Sequence, residues 1–190
     1  ENATWVGRGT LGEGYALGHL WGDGYLAENK AVLSLWGSQI VMKDWIQEQV
    51  AHLPHRSDWA GFTAVSGRDE WRLTSRSLAS LAKSFGMVHG AKKITDDIEM
   101  ASSDFYVGFL RAAFDTDGHV EGLPSEGGIS IRLSQSDREQ LERVQRMLGR
   151  LGIMSTIRPA REAGNRDMPG GEVWVQASWR LIISSSETRR

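Results

Sequence analysis

Two aspartates could bind a cation, judged by their residue type and their surroundings. Asp23 and Asp117 each end an apolar stretch and are each followed by glycine. Because glycine directly after a helix is a common cap, this pattern predicts that both aspartates are the last residues of helices. A carboxylate there faces the negative pole of the helix dipole, at a cost of about 0.3–1 kcal/mol. A bound divalent cation would reverse that cost, so the pair predicts a metal site with oxygen ligands.

The two helices that carry these aspartates are predicted to pack closely against each other. Gly18 and Gly22 lie four residues apart on one face of the first helix. Ala112 and Thr116 hold the matching positions in the second helix. Small residues at this spacing let two helix backbones approach, and a metal would offset the repulsion between the terminal acids. The alternative is two ordinary core helices that end in Asp-Gly, a common turn dipeptide.

The elements that must position these helices occur twice, since 94 residues separate Asp23 from Asp117. Each half reads as helix–strand–strand–helix–strand–strand, judged from apolar periodicity. The pattern predicts an α+β protein with one half over 1–101, connector included, and the other over 102–190. The predicted strands are 31–36, 59–66, 70–74, 129–134, 154–158 and 173–184, the predicted helices include 38–53, 77–85 and 136–151, and a polar loop is predicted over 160–171.

The composition is that of an ordinary globular chain, with 40% hydrophobic and 24% charged residues. There is no cysteine, which excludes disulfides and cysteine-ligated zinc. No apolar run approaches the roughly 20 residues that span a bilayer, and the N-terminus does not resemble a signal peptide, so we expect a cytoplasmic protein without a membrane partner. The net charge of −2 does not itself indicate nucleic-acid binding, but 17 of the 22 basic residues are arginine, which suits contacts to phosphate and guanine.

The two helix ends resemble the motifs of the LAGLIDADG homing endonucleases. Residues 16–24 (Ala-Leu-Gly-His-Leu-Trp-Gly-Asp-Gly) are similar to the first motif. Residues 110–118 (Leu-Arg-Ala-Ala-Phe-Asp-Thr-Asp-Gly) are similar to the second and match it more closely. Residues 145–153 and 92–95 also resemble blocks of intein-borne members. The resemblance covers nearly the whole chain and favours the monomeric branch, which carries two motifs in one chain.

The resemblance implies a pseudo-twofold pair of αββαββ half-domains. Their antiparallel sheets would form a saddle over double-stranded DNA, with the motif helices packed at the centre. It also implies that Asp23 and Asp117 bind metal, with Gly22 and Thr116 beside them. Mg²⁺ suits this role, Mn²⁺ can substitute, and Ca²⁺ is expected to bind without supporting cleavage. Both DNA strands would be hydrolysed across the minor groove, with Lys92 acting near the scissile phosphate.

Two departures from the family pattern change the expected activity. The sixth position of the first motif is Trp21 rather than an acid, but that position is not the family's metal ligand. No lysine follows Lys93, so the second half lacks the family's second basic residue. Arg180 could replace its charge, although arginine is a poor proton carrier. Asymmetric cleavage, or nicking of one strand, is therefore an alternative to cutting both strands.

The residues of protein splicing are also missing from this chain. Residue 1 is glutamate rather than a nucleophilic cysteine or serine, and the last five residues contain no His-Asn pair. The chain is therefore interpreted as the endonuclease domain of an intein, separated from its splicing domain, or as a free-standing relative.

Outward positions of the predicted strands are the candidates for DNA contact, because arginine can read guanine or bind phosphate and serine can contact either. Each could equally be a solvated surface residue. The candidates on strands are Ser34, Arg72, Ser130, Arg132, Arg158 and Arg180, and those in predicted loops are Arg68, Arg161 and Arg166.

Two further patterns indicate other chemistry but carry less weight. Residues 7–12 match G-x-G-x-x-G, but no βαβ unit follows, which argues against dinucleotide binding. His52 and His55 could bind metal, but no third ligand is evident nearby. The functional alternatives to DNA cleavage are a nucleic-acid-binding relative that no longer cuts, such as an RNA maturase or a regulator, and a structural module of protein splicing.

Overall fold

The computed structural model describes residues 4–122, 128–169 and 171–184. Residue 1 and residues 186–190, considered above for splicing, lie outside the described residues. The helices are α1 (Leu11–Gly22), α2 (Lys43–Ala51), α3 (Arg76–Ser84), α4 (Asp96–Glu99), α5 (Ser103–Asp117) and α6 (Arg138–Arg150), and a 3-10 helix covers Gly37–Met42. The strands are β1 (Tyr25–Leu26), β2 (Ala31–Trp36), β3 (Phe62–Ala64), β4 (Glu70–Ser75), β5 (Gly118–Glu121), β6 (Ser130–Gln135), β7 (Thr156–Arg161), β8 (Gly164–Met168), β9 (Gly171–Val175) and β10 (Ser178–Ile183).

These elements form two four-stranded antiparallel sheets with the same strand order. The first sheet runs β1-β2-β4-β3 and the second runs β5-β6-β10-β7, while β8 and β9 form a separate hairpin inserted before β10. The α+β class and the antiparallel sheets predicted from the sequence are therefore confirmed. No helix in the described parts of the chain is long and apolar enough to cross a membrane.

The chain divides into two compact units between Thr116 and Asp117. Most of α5 therefore belongs to the first unit, whose core includes Leu17, Leu33 and Leu73, all fully buried. In the second unit α6 covers one face of the sheet and buries an apolar stripe at helical spacing, Leu141, Val144, Met147 and Leu148.

The helix α1 begins at a reciprocal capping pair that its sequence encodes. Thr10 Oγ1 accepts a hydrogen bond from the Glu13 amide at 3.2 Å, and the Glu13 carboxylate accepts one from the Thr10 amide at 2.8 Å. These two bonds satisfy backbone donors that have no partner inside the helix. The helix ends at Asp23, whose amide donates to the carbonyl of His19. The predicted aspartate is thus the residue that caps the helix.

The helices α1 and α5 pack backbone to backbone inside the first unit. A Cβ atom added at Gly18 would overlap the carbonyl oxygen of Phe109, and one added at Gly22 would overlap Thr116 Oγ1. Gly14 and Gly108 make equally close approaches, to the carbonyls of Phe105 and Leu11 respectively. The close packing predicted from Gly18, Gly22, Ala112 and Thr116 is confirmed, and two further glycines extend it.

Three of the predicted elements need correction. The polar loop over 160–171 is wrong, because β7 continues to Arg161 and residues Gly164–Met168 pair with Gly171–Val175 as a hairpin. The segment contains Gly, Asn and Asp, which are uncommon in strands. Its described side chains are mostly exposed, so the sequence shows no alternation of apolar and polar residues. The strand over 173–184 is two strands, and the helix over 38–53 begins as the 3-10 helix Gly37–Met42.

Candidate functional site

The Asp23 carboxylate is exposed at the end of α1 and is held by a glutamine. Gln39, in the 3-10 helix that follows β2, donates from Nε2 to Asp23 Oδ2 at 2.9 Å. The other end of the same amide accepts a hydrogen bond from the backbone amide of Trp36 at 2.9 Å. Because both ends of the Gln39 amide are engaged, its orientation is fixed, and the carboxylate that it contacts is fixed with it.

The Asp117 carboxylate has a matching partner in the second unit. Gln135, the last residue of β6, donates from Nε2 to Asp117 Oδ2 at 2.8 Å. Sequence reasoning missed both glutamines. The signal was present, however, since each glutamine lies at or just beyond the end of the second strand after its aspartate. Gln39 is 16 residues after Asp23, and Gln135 is 18 residues after Asp117. Such an amide orients a carboxylate without neutralising its charge.

Lys92 lies at the same helix end as Asp23. Its ammonium donates to three backbone carbonyls, those of Leu20 at 3.2 Å, Gly22 at 2.9 Å and Gly24 at 2.6 Å. The carbonyls in the last turn of a helix lack partners within the helix and carry its negative partial charge. The lysine therefore stabilises the end of α1 directly. The structure thus places Lys92 at the helix end that carries Asp23 and gives it a capping role that sequence reasoning did not predict. Its expected role near a scissile phosphate stays a prediction.

His19 is a buried titratable group one turn before Asp23. Burial lowers the pKa of His19 to about 4, although the negative charges of Asp23 and Asp115 act in the opposite direction. Lys92 adds a positive charge nearby that lowers the pKa further. The imidazole is therefore neutral at physiological pH, so it is not a cation that could stabilise the nearby carboxylates.

A buried tyrosine connects the two motif helices near the same end. Tyr15 on α1 donates from its hydroxyl to Asp115 Oδ2 on α5 at 2.7 Å. Burial and this hydrogen bond raise the pKa of Tyr15 above its usual value. Arg111 Nε lies 3.8 Å from the same carboxylate. Asp115 is thus engaged by residues of the first unit and serves the contact between the two helices.

The first sheet presents Ser34 and Arg72 on its outer face, which is the side opposite the buried Leu33 and Leu73. These two residues are directly opposite each other on β2 and β4. Arg72 donates from Nε and Nη2 to Glu70 Oε1 at 3.1 and 2.7 Å, and Ser34 donates to the same oxygen at 2.9 Å. The structure therefore brings both predicted contact residues together around a carboxylate that sequence reasoning missed.

The second sheet presents four of the predicted residues on its outer face, opposite the buried Leu133 and Leu181. Arg180 on β10 lies directly opposite Arg158 on β7 and Ser134 on β6. Arg180 Nε donates to Ser134 Oγ at 3.5 Å. Ser130 and Arg132 lie on β6, and Arg132 donates from Nε to Ser130 Oγ at 2.9 Å. Adjacent outward arginines give this face a concentration of positive charge that suits a polyanion.

The three arginines predicted in loops have different positions. Arg68 lies in the turn before β4, with Nη1 3.7 Å from Glu70 Oε2. Arg161 and Arg166 are not in a loop, because they lie in β7 and β8 respectively. Arg161 donates to the carbonyl of Gln176 at 3.1 Å, which ties the end of β7 to the segment that enters β10.

The donor set at the helix ends suits a hard divalent cation. Asp23 and Asp117 offer carboxylate oxygens, and a glutamine amide holds each carboxylate through its Oδ2. Oxygen ligands of this kind are preferred by Mg²⁺, which usually takes one or two carboxylates and completes its shell with phosphate and water. Gly22 offers a carbonyl that already accepts from Lys92, whereas Thr116 directs its hydroxyl to the carbonyls of Ala112 and Ala113. The described residues contain no cluster of three or more side chains that could hold metal without such additional ligands.

The two other patterns considered from the sequence have structural explanations. His55 stacks on Trp59 at 3.8 Å between ring centroids, and its Nε2 lies 2.8 Å from the carbonyl of Val50. Residues 7–12 form the irregular lead-in and first turn of α1, and no strand precedes them in the described range. Neither a histidine metal site nor a dinucleotide fold is therefore supported.

Comparisons with known proteins find a family model that matches the second part of the chain. Residues 104–190 match the family described as the LAGLIDADG-like domain. The alpha subunit of ribonucleoside-diphosphate reductase NrdEB from Bacillus subtilis (strain 168) is 24% identical over 172 residues, covering 83% of this chain and 16% of that protein. The corresponding subunit of Bacillus phage SPbeta matches to the same extent. The chain therefore spans about a sixth of the length of these curated relatives.

Solved structures similar to this one share its fold at low sequence identity. A mesophilic variant of the homing endonuclease I-DmoI has a TM-score of 0.59 and 17% identity, with coverage of 92% of this chain and 88% of that one. I-DmoI in complex with DNA and Mn has a TM-score of 0.58 and 16% identity, with coverage of 92% of this chain and 89% of that one. The N-terminal LAGLIDADG domain of WhiA has a TM-score of 0.50 and 16% identity, with coverage of 95% of this chain and 80% of that one. At these identities the likeness establishes the fold.

Proposed function

We propose that this chain, whose residues 104–190 match the LAGLIDADG-like domain and whose fold is shared with the homing endonuclease I-DmoI, is a site-specific endonuclease. It would bind a long double-stranded DNA site and hydrolyse both strands with divalent metal. The observation that carries the proposal is the repeated helix end, where Asp23 and Asp117 are each oriented by a glutamine amide. A carboxylate that is held in place while it keeps its charge suits a metal ligand. Two such ends in one chain suit the cleavage of two strands.

The proposed roles of the residues follow from their contacts. Asp23 and Asp117 would hold Mg²⁺, or Mn²⁺ in its place, and the ion would supply Lewis-acid stabilisation of charge on the scissile phosphates. Gly22 and Thr116 would offer backbone oxygens beside the two acids. Lys92, already at the end of α1, would place its ammonium near a phosphate bound there. Arg180 would supply the corresponding positive charge in the second unit.

The outer faces of the two sheets are the proposed DNA-binding surfaces. Ser34, Arg72 and Arg68 would act in the first unit. Ser130, Arg132, Arg158, Arg161 and Arg166 would act in the second. Structures of I-DmoI with DNA and Mn and with DNA and Ca support both the proposed duplex partner and the use of divalent metal. In this chain we expect Ca²⁺ to permit binding without cleavage.

We further propose that the chain is the endonuclease domain of an intein and acts as a monomer. A segment similar to this chain makes up 16% of a much longer reductase subunit. Such a relation is expected for a domain carried inside another protein. The splicing domain would then be a partner within the parent protein.

Selection and cleavage of a randomised duplex library test the proposal. Incubation with Mg²⁺, followed by sequencing of the cut ends, should enrich one long site with matched cuts on both strands. A parallel selection in Ca²⁺ should enrich the same site uncut, and an EDTA control should yield no cut ends. If Ca²⁺ selects a duplex site that Mg²⁺ never cuts, the protein is a binding relative and the endonuclease proposal is wrong.

A nicking enzyme is the second candidate, and one observation favours it. The sequence contains no lysine after Lys93, so the second unit has no ammonium of its own to donate to the end of α5, as Lys92 donates to the end of α1. The same library distinguishes the two activities, because a nicking enzyme would yield cut ends on one strand only.

A further inference from the structure

Each sheet carries a glutamate on the face proposed to bind DNA, where a negative charge opposes binding to phosphate. Glu70 lies on β4 and Glu121 on β5, and neither was predicted from the sequence as a functional residue. The Glu70 carboxylate accepts from Arg72 and Ser34. The Glu121 carboxylate accepts from Arg132, which also donates to the Ser130 hydroxyl. A serine, a glutamate and an arginine thus form a cluster in each unit, Ser34–Glu70–Arg72 in the first and Ser130–Glu121–Arg132 in the second.

The cluster in the first unit holds the arginine firmly. The Glu70 side chain is only 1% exposed although it lies on the outer face, because Arg72, Ser34 and Arg68 surround it. Burial would raise the pKa of Glu70, but the hydrogen bonds from Arg72 and Ser34 and the charges of Arg72 and Arg68 hold it below its usual value. The carboxylate is therefore ionised, and it occupies the Nε and one Nη2 donor of Arg72.

In the second unit Arg132 is also held by a glutamate and a serine, but these residues occupy different strand positions from those of the first cluster. Arg132 donates from Nη1 to Glu121 Oε2 and from Nε to Ser130 Oγ. Glu121 lies on the neighbouring strand, directly opposite Ser130, and its side chain is 52% exposed. His119 Nε2 lies 3.6 Å from the same carboxylate oxygen. Two of the five guanidinium donors are engaged in each arginine, and three remain for a ligand.

An arginine paired in this way is better suited to reading a base than to binding phosphate. Its charge is largely neutralised by the glutamate, so it releases few counterions and adds little nonspecific affinity. Its guanidinium is fixed, so it loses less side-chain freedom when it makes the two parallel hydrogen bonds that recognise O6 and N7 of guanine.

On the premise that the proposed function holds, we propose that Glu70 and Glu121 are specificity-determining residues. Each positions the guanidinium of its arginine, Arg72 or Arg132, to recognise guanine at one position of the DNA site. The glutamates act through the arginines and do not themselves contact the scissile phosphate. Removing a glutamate should therefore relax sequence preference without weakening overall affinity, whereas a purely structural role would affect all sequences alike.

Duplex selection in Ca²⁺ with the full chain tests this inference without requiring cleavage. Glu70→Gln and Glu121→Gln should each lower the preference for guanine at one position by about tenfold, since the two parallel hydrogen bonds that discriminate guanine from other bases need a fixed guanidinium. Binding to duplexes of unrelated sequence should be unchanged or tighter, because a negative charge is lost. The matched control is Glu142→Gln, which removes an Arg138–Glu142 ion pair at 2.9 Å on α6 and should leave the profile unchanged.

A double-mutant cycle separates positioning from independent contact. The double variant Glu70→Gln/Arg72→Gln should have the same profile as Arg72→Gln alone, because the glutamate acts only through the arginine. If Glu70→Gln destabilises the fold because its carboxyl is buried, the more exposed Glu121→Gln still gives a decisive result. Profiles of both variants identical to that of the unmodified protein would overturn the inference and leave the proposed function intact. If the unmodified protein selects no site, the proposed function itself fails, and the inference fails with it.

Discussion

At the end of α1 the Asp23 carboxylate accepts a hydrogen bond from Gln39, and at the end of α5 the Asp117 carboxylate accepts one from Gln135. Around these matched pairs the two helix ends differ. Lys92 donates to three carbonyls at the end of α1, whereas the chain contains no lysine after Lys93 that could do the same for α5. The helices also differ one turn earlier, where α1 buries His19 and α5 has Ala113 at the matching position.

The comparison separates the carboxylate held by a glutamine, which both helix ends have, from the Lys92 ammonium, which is bound at the end of α1. The oriented carboxylate occurs at both ends and is the part that suits metal. The Lys92 ammonium lies at the end of α1, where it offsets the unfavourable interaction of Asp23 with the helix dipole, a role that the sequence analysis assigned to a bound metal. A common role is therefore assigned to Asp23 and Asp117, and an individual one to Lys92.

The largest expected effect comes from removing the carboxylates that the two ends share. Asp23→Asn and Asp117→Asn should each lower double-strand cleavage by about 1000-fold or more, since loss of a metal ligand removes several kcal/mol of transition-state stabilisation. Duplex binding in Ca²⁺ should be retained. Cleavage assays on the selected site, with each strand labelled separately, measure the loss.

Asp97→Asn is the control for these variants, because Asp97 is an exposed acid in the first turn of α4 and ends neither motif helix. It should cleave at the rate of the unmodified protein. Full cleavage of both strands by either Asp23→Asn or Asp117→Asn would remove that residue from the proposed site and break the equivalence of the two ends.

A smaller effect concerns His19, which has no titratable counterpart at Ala113. The pKa of His19 is about 4 in the fold against 6.5 for a free histidine, so between these values the unfolded chain binds a proton that the folded chain does not. Its contribution to stability is therefore complete above pH 6.5 and is lost as the pH falls toward 4, by about 3 kcal/mol in all. Asp23, Asp115 and Lys92 are the charged groups that act on the ring.

Urea unfolding at pH 7.5 and pH 4.5 measures this contribution. His19→Ala, which gives α1 the residue type of α5, should reduce the loss of stability between the two pH values by about 2–3 kcal/mol relative to the unmodified protein. His19→Leu should reduce the pH-dependent loss of stability by the same amount, and its larger side chain fills more of the volume that the buried imidazole occupies. His52→Ala removes an exposed histidine and should leave the pH dependence as it was. If both His19 variants lose as much stability between pH 7.5 and pH 4.5 as the unmodified protein does, His19 does not titrate as its burial requires.

The features that follow from local pattern could be predicted from the sequence, and those that depend on partners across the fold could not. The glycine spacing on α1 and the alternation in β2 and β6 gave the motif helices and the central strands correctly. The hairpin of β8 and β9 was missed because its strands are exposed and polar. Gln39 and Gln135 were missed because an amide has no distinctive signature until its carboxylate partner is known. The expectation of metal at each helix end overlooked Lys92, which lies 70 residues beyond Gly22 in sequence yet donates to its carbonyl.

The smallest of the three effects tests the lysine that distinguishes the two ends. Lys92→Met should lower the free energy of unfolding by about 2 kcal/mol, because three carbonyls lose a charged hydrogen-bond donor at the end of α1. Urea unfolding checks this value, with Lys30→Met as the control, since Lys30 is an exposed lysine in the turn before β2. We also expect Lys92→Met to impair cleavage of one strand more than the other, because α5 has no lysine to lose.

Lys92→Arg separates the capping role of the lysine from its proposed role near the phosphate. Arginine keeps the charge and can donate to carbonyls, so most of the stability lost in Lys92→Met should return. It cannot readily transfer a proton, so cleavage of the strand at the first helix end should stay slow if Lys92 assists the reaction. If Lys92→Arg restores both stability and cleavage of that strand, Lys92 acts only as a charged helix cap. The two helix ends would then differ in stability but not in chemistry, and the missing lysine at α5 would no longer be a reason to expect nicking.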